Sequence, residues 1–197
     1  MTKAHSSYLN GKLLVAMPGI GDPRFDRTVV FMCAHSPEGA MGIVINRTSS
    51  QITFPELLEK LEIISPDHRI ELSAKVRGMP VQAGGPVEAG RGFVLHTTDY
   101  FSQDTTLPIS TGIGLTATLD VLRAIAGGRG PRKSLMALGY SGWGPGQLEQ
   151  EIQSNGWLTC DADESILFDA DFEHRYAAAM QRIGIDPRML SSTAGNA

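Results

Sequence analysis

The chain has 197 residues, 42% of them hydrophobic and 19% charged, which suits a globular protein able to bury a sizeable core and excludes long-range disorder. Lys and Arg number 17 against 21 Asp and Glu, a net charge of −4 with the signs interspersed, so no field exists to draw in a polyanion unaided. One domain over residues 1–197 is expected, with small, polar, mobile tails at 1–7 and 191–197.

Lys12 to Met17 reads as a strand that stops at Pro18-Gly19. The run is too short for a secretory signal. Residues 27–35 form the clearest strand, apolar at both parities and therefore expected in the middle of a sheet covered on both faces. The turn residues Ser36-Pro37-Glu38-Gly39 join it to Met41 to Asn46 as a β-hairpin. Thr53 with Glu56 is a capping box, flanked by Ile52 and Leu57 as a hydrophobic staple, and predicts a helix to about Ile63.

Val81 to Ala83, Phe93 to His96 and Thr105 to Ser110 read as short strands. Leu115, Leu119, Leu122 and Ile125 recur at helical spacing up to Gly127-Gly128. Ser134 to Gly139 is a buried strand, and a helix opens at Pro145, shows Leu148 and Ile152 on one face and ends near Asn155-Gly156. Trp157 to Cys160 is a final strand. The last helix follows Asp171, buries Phe172, Tyr176, Met180 and Ile183, and closes at Gly184. This irregular alternation, with one hairpin, predicts an α/β protein of α+β type with a mixed, curled sheet and packed helices.

Even Ile113 to Ala126 carries Asp120 and Arg123, so no membrane span is expected. Cys33 and Cys160 lie far apart and form no paired-thiol motif, which fits a reducing, cytoplasmic compartment. The sequon Asn46-Arg47-Thr48 then has no expected glycan.

Cys33 and His35, two apart on a strand, would share a face and suggest a thiolate–imidazole pair, although Cys33 in an apolar run is more simply a core residue. Ser141 sits where a strand meets a helix, as in a nucleophile elbow, but Trp143 occupies the place of the second glycine. Gly128-Arg129-Gly130 lacks the third glycine of a dinucleotide fingerprint, and Gly84-Gly85-Pro86 is a turn before it is an anion nest. The histidines hold no ligand spacing, so neither a metal nor another cofactor is expected. Arg129, Arg132 and Lys133 are the densest basic cluster, too short and too free of aromatics for a nucleic-acid surface.

Six blocks in order resemble the AlgH/YqgE family over about residues 8–190: Pro18 to Phe25, Cys33-Ala34-His35, Gly39 to Arg47, Gly84 to Val87, Arg91 to His96, and Gly146 to Ile152 with Asn155, Trp157 and Leu158. The resemblance implies an α/β sandwich around a curled sheet, a bacterial cytoplasmic protein and no established enzymatic activity; some members are labelled transcriptional regulators. Ala34 departs from the usual Glu, Thr48 from Pro and Ser141 from Ala, and the last departure weakens a catalytic serine. Within these blocks Met17, Phe31, Val44 and Leu95 are expected in the core. Asp22, Arg27, His35, Asn46, Arg47, Arg91 and His96, with Pro18, Phe25, Pro86, Tyr140 and Trp143, are expected to line one shallow cleft for a protein, peptide or small ligand. The alternatives are a hydrolase or thiol enzyme using Ser141 or Cys33 with His35 and, least favoured, direct DNA binding.

Overall fold

The computed structural model describes residues 8–189; both expected mobile tails reach outside this range. Among the described residues nine strands form one sheet: β1 (Lys12–Ala16), β2 (Val29–Ser36), β3 (Gly39–Val44), β4 (Val81–Ala83), β5 (Val87–Thr97), β6 (Thr106–Ser110), β7 (Ile113–Thr116), β8 (Ser134–Trp143) and β9 (Trp157–Asp161). Their spatial order is β6-β7-β5-β8-β3-β2-β1-β9, and β4 attaches to β8 as the parallel pair in an otherwise antiparallel sheet. The helices are α1 (Phe54–Lys60), α2 (Ala74–Arg77), α3 (Leu119–Ala126), α4 (Gln147–Gln153) and α5 (Phe172–Ile183).

Packing explains the curl. Leu13, Phe31 and Ile43 from one half of the sheet join Phe93, Leu95 and Ala137 from the other in a single cluster that Tyr176, Ala179 and Met180 of α5 cover. The opposite face carries two separate clusters, one under α1, α2 and α3 and the other between Val30, Met32, Val44 and Leu148 of α4. One core inside and two outside is the geometry of a sheet wrapped around α5.

Strand β8 joins the halves. Residues 136–138 run between β4 and β5, Tyr140 pairs with Val87, and residues 141–143 pair with β3. Between these stretches Gly139 takes a left-handed φ of 74°. There the segment leaving β4 crosses β8 in backbone contact: a Cβ on Gly84 would lie 2.3 Å from the Gly139 carbonyl oxygen, and one on Gly85 2.1 Å from the Tyr140 carbonyl carbon. No larger residue fits this crossing.

Local signals hold where they are short-range. Thr53 and Glu56 form both bonds of the capping box, and Gly184 closes α5 with a φ of 84° while the Ile185 amide donates to the Met180 carbonyl. The differences are tertiary. Leu115 lies on β7, because the pattern that continues it into a helix breaks at Ala117-Thr118 and the strand pairs with both β5 and β6. Helix α4 opens at Gln147, after a turn in which Gly146 is left-handed, and α1 stops at Lys60, with Glu62 left-handed beyond it. Met17 is only half-buried at the end of β1, whereas Phe31, Val44 and Leu95 are core. Phe172, the first residue of α5, is exposed, and Arg175 occupies the buried face instead.

Substituting Gly85→Ala should lower the unfolding free energy by about 2 kcal/mol or more. Gly90→Ala, whose added methyl meets nothing within 4 Å, should stay within about 0.5 kcal/mol of the parent in the same urea titration.

Candidate functional site

Both tryptophans of the chain end up side by side. Trp143 is the last residue of β8 and Trp157 the first of β9, and α4 between them turns the chain so that their rings meet at 6.0 Å, nearly perpendicular. Glu151 on α4 accepts both indole N–H groups on one carboxylate oxygen, at 2.9 Å from Trp143 and 2.8 Å from Trp157, and its other oxygen accepts from the Gln147 amide at 3.0 Å. An indole N–H taken from water needs such an acceptor. Phe25, from the loop after β1, stacks on Trp143 at 6.4 Å and meets Trp157 edge-on at 5.5 Å.

This aromatic wall borders a depression of about 420 Å³ that Ile20, Pro86 and Val87 also line. Its rim carries Arg24 and Asp22, joined by two near-parallel bonds at 3.0 and 2.7 Å. The Arg24 side-chain bonds, followed by its backbone N–H, hold the Asp22 carboxyl below the usual carboxylate range. A second depression, of about 590 Å³, continues past Val87, Gly142 and Trp143 to Met41, Arg91 and Tyr140. Arg91 lies over the Phe93 ring at 5.2 Å and bonds Glu88 at 3.3 Å. The shared residues make one two-lobed groove, apolar along its floor and of mixed charge at its rim.

Six of the twelve residues expected in one cleft line this groove: Asp22, Phe25, Pro86 and Trp143 the first lobe, Arg91 and Tyr140, again with Trp143, the second. The other six line neither lobe. Pro18 is half-buried in the loop after β1. Asn46 accepts from the Val29 amide and donates to the Arg27 carbonyl, each at 2.8 Å, and so fastens the start of β2 to the chain leaving β3. Arg27 is left-handed, and its guanidinium lies over the Tyr176 ring at 4.9 Å. Arg47 donates to the carbonyls of Asp26, at 2.7 Å, and Pro23, which holds the loop that carries Phe25. His96 is wholly buried, bonded to the Thr116 hydroxyl at 2.8 Å and the Thr97 carbonyl at 3.0 Å.

His35 is separated from Cys33 by a backbone irregularity. Met32 pairs with Gly42 and Ala34 with Met41, which leaves Cys33 as the extra residue of a β-bulge and flips the alternation beyond it. Cys33 therefore enters the core under α5, while His35 emerges toward α4, where it meets Glu149 at 2.7 Å. The Leu9 amide donates to His35 Nδ1 at 3.1 Å, so Nε2 carries the proton that Glu149 accepts. Burial pushes the Cys33 thiol up to about 12, away from a nucleophile's range. Ser141 lies inside β8, fully buried with its hydroxyl 3.5 Å from the Gly84 carbonyl, and not on a strand-to-helix elbow. The Gly84-Gly85 pair is the crossing described above, where the Gly84 amide donates to the Leu138 carbonyl and the Gly84 carbonyl accepts from the Val44 amide, each at 2.8 Å.

The sequence expectation missed Glu151, Trp157, Gln147 and Arg24 as groove residues. The two tryptophans as the whole indole content of the chain, with Gln147 and Glu151 four apart on a helix between them, were the available signal. Among the described residues no three His, Cys, Asp or Glu side chains converge as metal ligands, and no helix is long and apolar enough to cross a membrane.

The AlgH-like family model (DUF179) matches residues 13–188, and the chain belongs to that family. UPF0301 proteins are similar along nearly the whole chain: that of Bradyrhizobium diazoefficiens is 55% identical over 192 residues, covering 98% of this chain and 90% of its own, and one of Rhodopseudomonas palustris 57% over 190 residues, covering 96% and 89%. The solution structure of the AlgH protein from Pseudomonas aeruginosa superposes with a TM-score of 0.78 at 42% identity over all of both chains. A crystal structure of a Corynebacterium diphtheriae protein shares the fold, with a TM-score of 0.68 at 19% identity over 88% and 86% of the two chains.

Two measurements follow from these environments. In native protein iodoacetamide should label half-buried Cys160 well before Cys33, whose labelling should wait for global unfolding; rapid native alkylation of Cys33 contradicts its burial. Burial, only partly offset by the Thr97 carbonyl and Asp99, lowers the His96 pKa below 6.5. The folded state thus favours neutral His96, and its contribution is complete above pH 6.5 and lost as the pH falls from there through the lowered value. Unfolding free energy should decline over that range, and His96→Gln should flatten the slope; an unchanged slope contradicts the assignment.

Proposed function

We propose that the two-lobed groove holds a peptide segment of a protein partner and that this AlgH-like protein acts as a non-enzymatic adaptor or regulator. The single supporting observation is that the two depressions adjoin: they share Val87, Gly142 and Trp143, and each is lined by apolar side chains together with a charged pair, Asp22 and Arg24 in one and Glu88 and Arg91 in the other. Such an arrangement suits an extended chain with alternating apolar and polar side chains. Aromatic residues and arginine at its centre and rim are the types that dominate binding energy at protein interfaces. A hydrolase or thiol enzyme would need Ser141 or Cys33 at a substrate surface, and both side chains are buried. Direct binding to DNA finds little support in a rim where Arg24 pairs with Asp22 and Arg91 with Glu88. Free Cys33 and Cys160 fit a cytoplasmic setting.

The test is selection from a displayed random-peptide library, followed by titration of enriched peptides. Because the indoles both face this cluster, binding should change intrinsic tryptophan emission. Phe25→Ala should weaken the selected peptides by about tenfold or more, and His96→Gln, away from the groove, should leave them unaffected. Peptides that bind equally well to Phe25→Ala, or a library that yields none, would overturn the proposal.

A further inference from the structure

We infer that a second pocket, sharing no residue with the aromatic groove, binds a small amphipathic anion, an aliphatic carboxylate with its tail inward. The pocket holds about 430 Å³ between α2 with the turn that follows it, the loop after α3, and Ser134 at the start of β8. Val76, Met79, Ile125 and Pro131 supply apolar surface. The volume lies within the range of small-ligand sites, roughly 300–1,000 Å³.

The loop is shaped by glycine. A Cβ on Gly130 would lie 2.6 Å from the Ile125 side chain, so only glycine lets the loop close against α3, and Gly128 takes a left-handed φ of 72°. Gly128 and Gly130 of the run that fails as a dinucleotide motif both line this pocket.

Charge selects the ligand. Among the described residues no Asp or Glu lines the pocket. Lys75 lines it and donates to the Arg132 carbonyl at 3.1 Å, leaving ammonium protons to spare. Arg129 and Arg77 stay outside the lining: the Arg129 guanidinium lies beside Gly127, and Arg77 donates to the Ile70 carbonyl at 3.4 Å. Among the described residues, Lys75 has no carboxylate within 4.0 Å. Nearby cations contrast with Lys75: Arg132 pairs with Glu164, and Lys133 with Asp169 and Glu164. An apolar hollow edged by the unneutralised Lys75 ammonium attracts an apolar body with a negative head and disfavours a cationic one.

The probes are octanoate, octanol and octylammonium, read by amide shifts of Gly128 and Gly130 in a two-dimensional NMR titration. Octanoate should saturate these shifts with tryptophan emission unchanged, octanol should bind more weakly, and octylammonium weakest. Lys75→Glu should weaken octanoate by about fivefold while Lys75→Arg retains it. Octanol binding as tightly as octanoate to the unsubstituted protein would overturn the anion site without reference to any variant. So would octanoate shifts that fail to saturate, or that move the tryptophans instead of the two glycines.

Discussion

The backbone crossing at Gly84-Gly85 and Gly139-Tyr140 is the constraint on which the rest of the molecule depends. Strand β8 can belong to both halves of the sheet only if the chain leaving β4 passes over it without side chains in the way. Beyond the crossing β8 is free to pair with β3, and that pairing carries Trp143 to its place beside Phe25. The same crossing delivers Pro86 to the first lobe of the groove and Val87 to both. The sheet therefore curls and the groove opens for one steric reason.

Helix α4 is the second support. Leu148 buries beneath it, Glu149 reaches His35 on β2, and Glu151 takes both indole protons, so three successive contacts fix a helix of two turns. A helix this short has little stability of its own and depends on such tertiary bonds. Glu149, held below the usual carboxylate range by its own backbone N–H and then by His35, retains its charge for that contact. Residues expected to line the cleft, His35 and Arg47, instead hold the pieces that form the groove.

The family blocks and the local elements were legible because each depends on neighbours in the chain. The capping box at Thr53, the left-handed close at Gly184 and the hairpin between β2 and β3 all rest on contacts a few residues long. About half of the expected cleft residues line the groove, and the others fall elsewhere for reasons no spacing rule contains. One bulge at Cys33 turns His35 to the opposite face of the sheet. One extension of β8 buries Ser141 in a strand where a turn was expected. Glu151 looked like an ordinary helical carboxylate until two strand ends brought indoles to it.

By itself, then, the sequence determined the family, the α/β character, the positions of most strands and helices, and the apolar residues that fill the core. Those properties follow from periodicity, capping and turn chemistry, which act over short stretches. Only the tertiary structure decided which polar residues open to solvent and which close a strand end, and that Trp143 and Trp157 share one acidic anchor beside Phe25. These outcomes depend on pairings between residues up to more than a hundred positions apart and on single-residue shifts in register, where one inserted residue reverses every side chain after it.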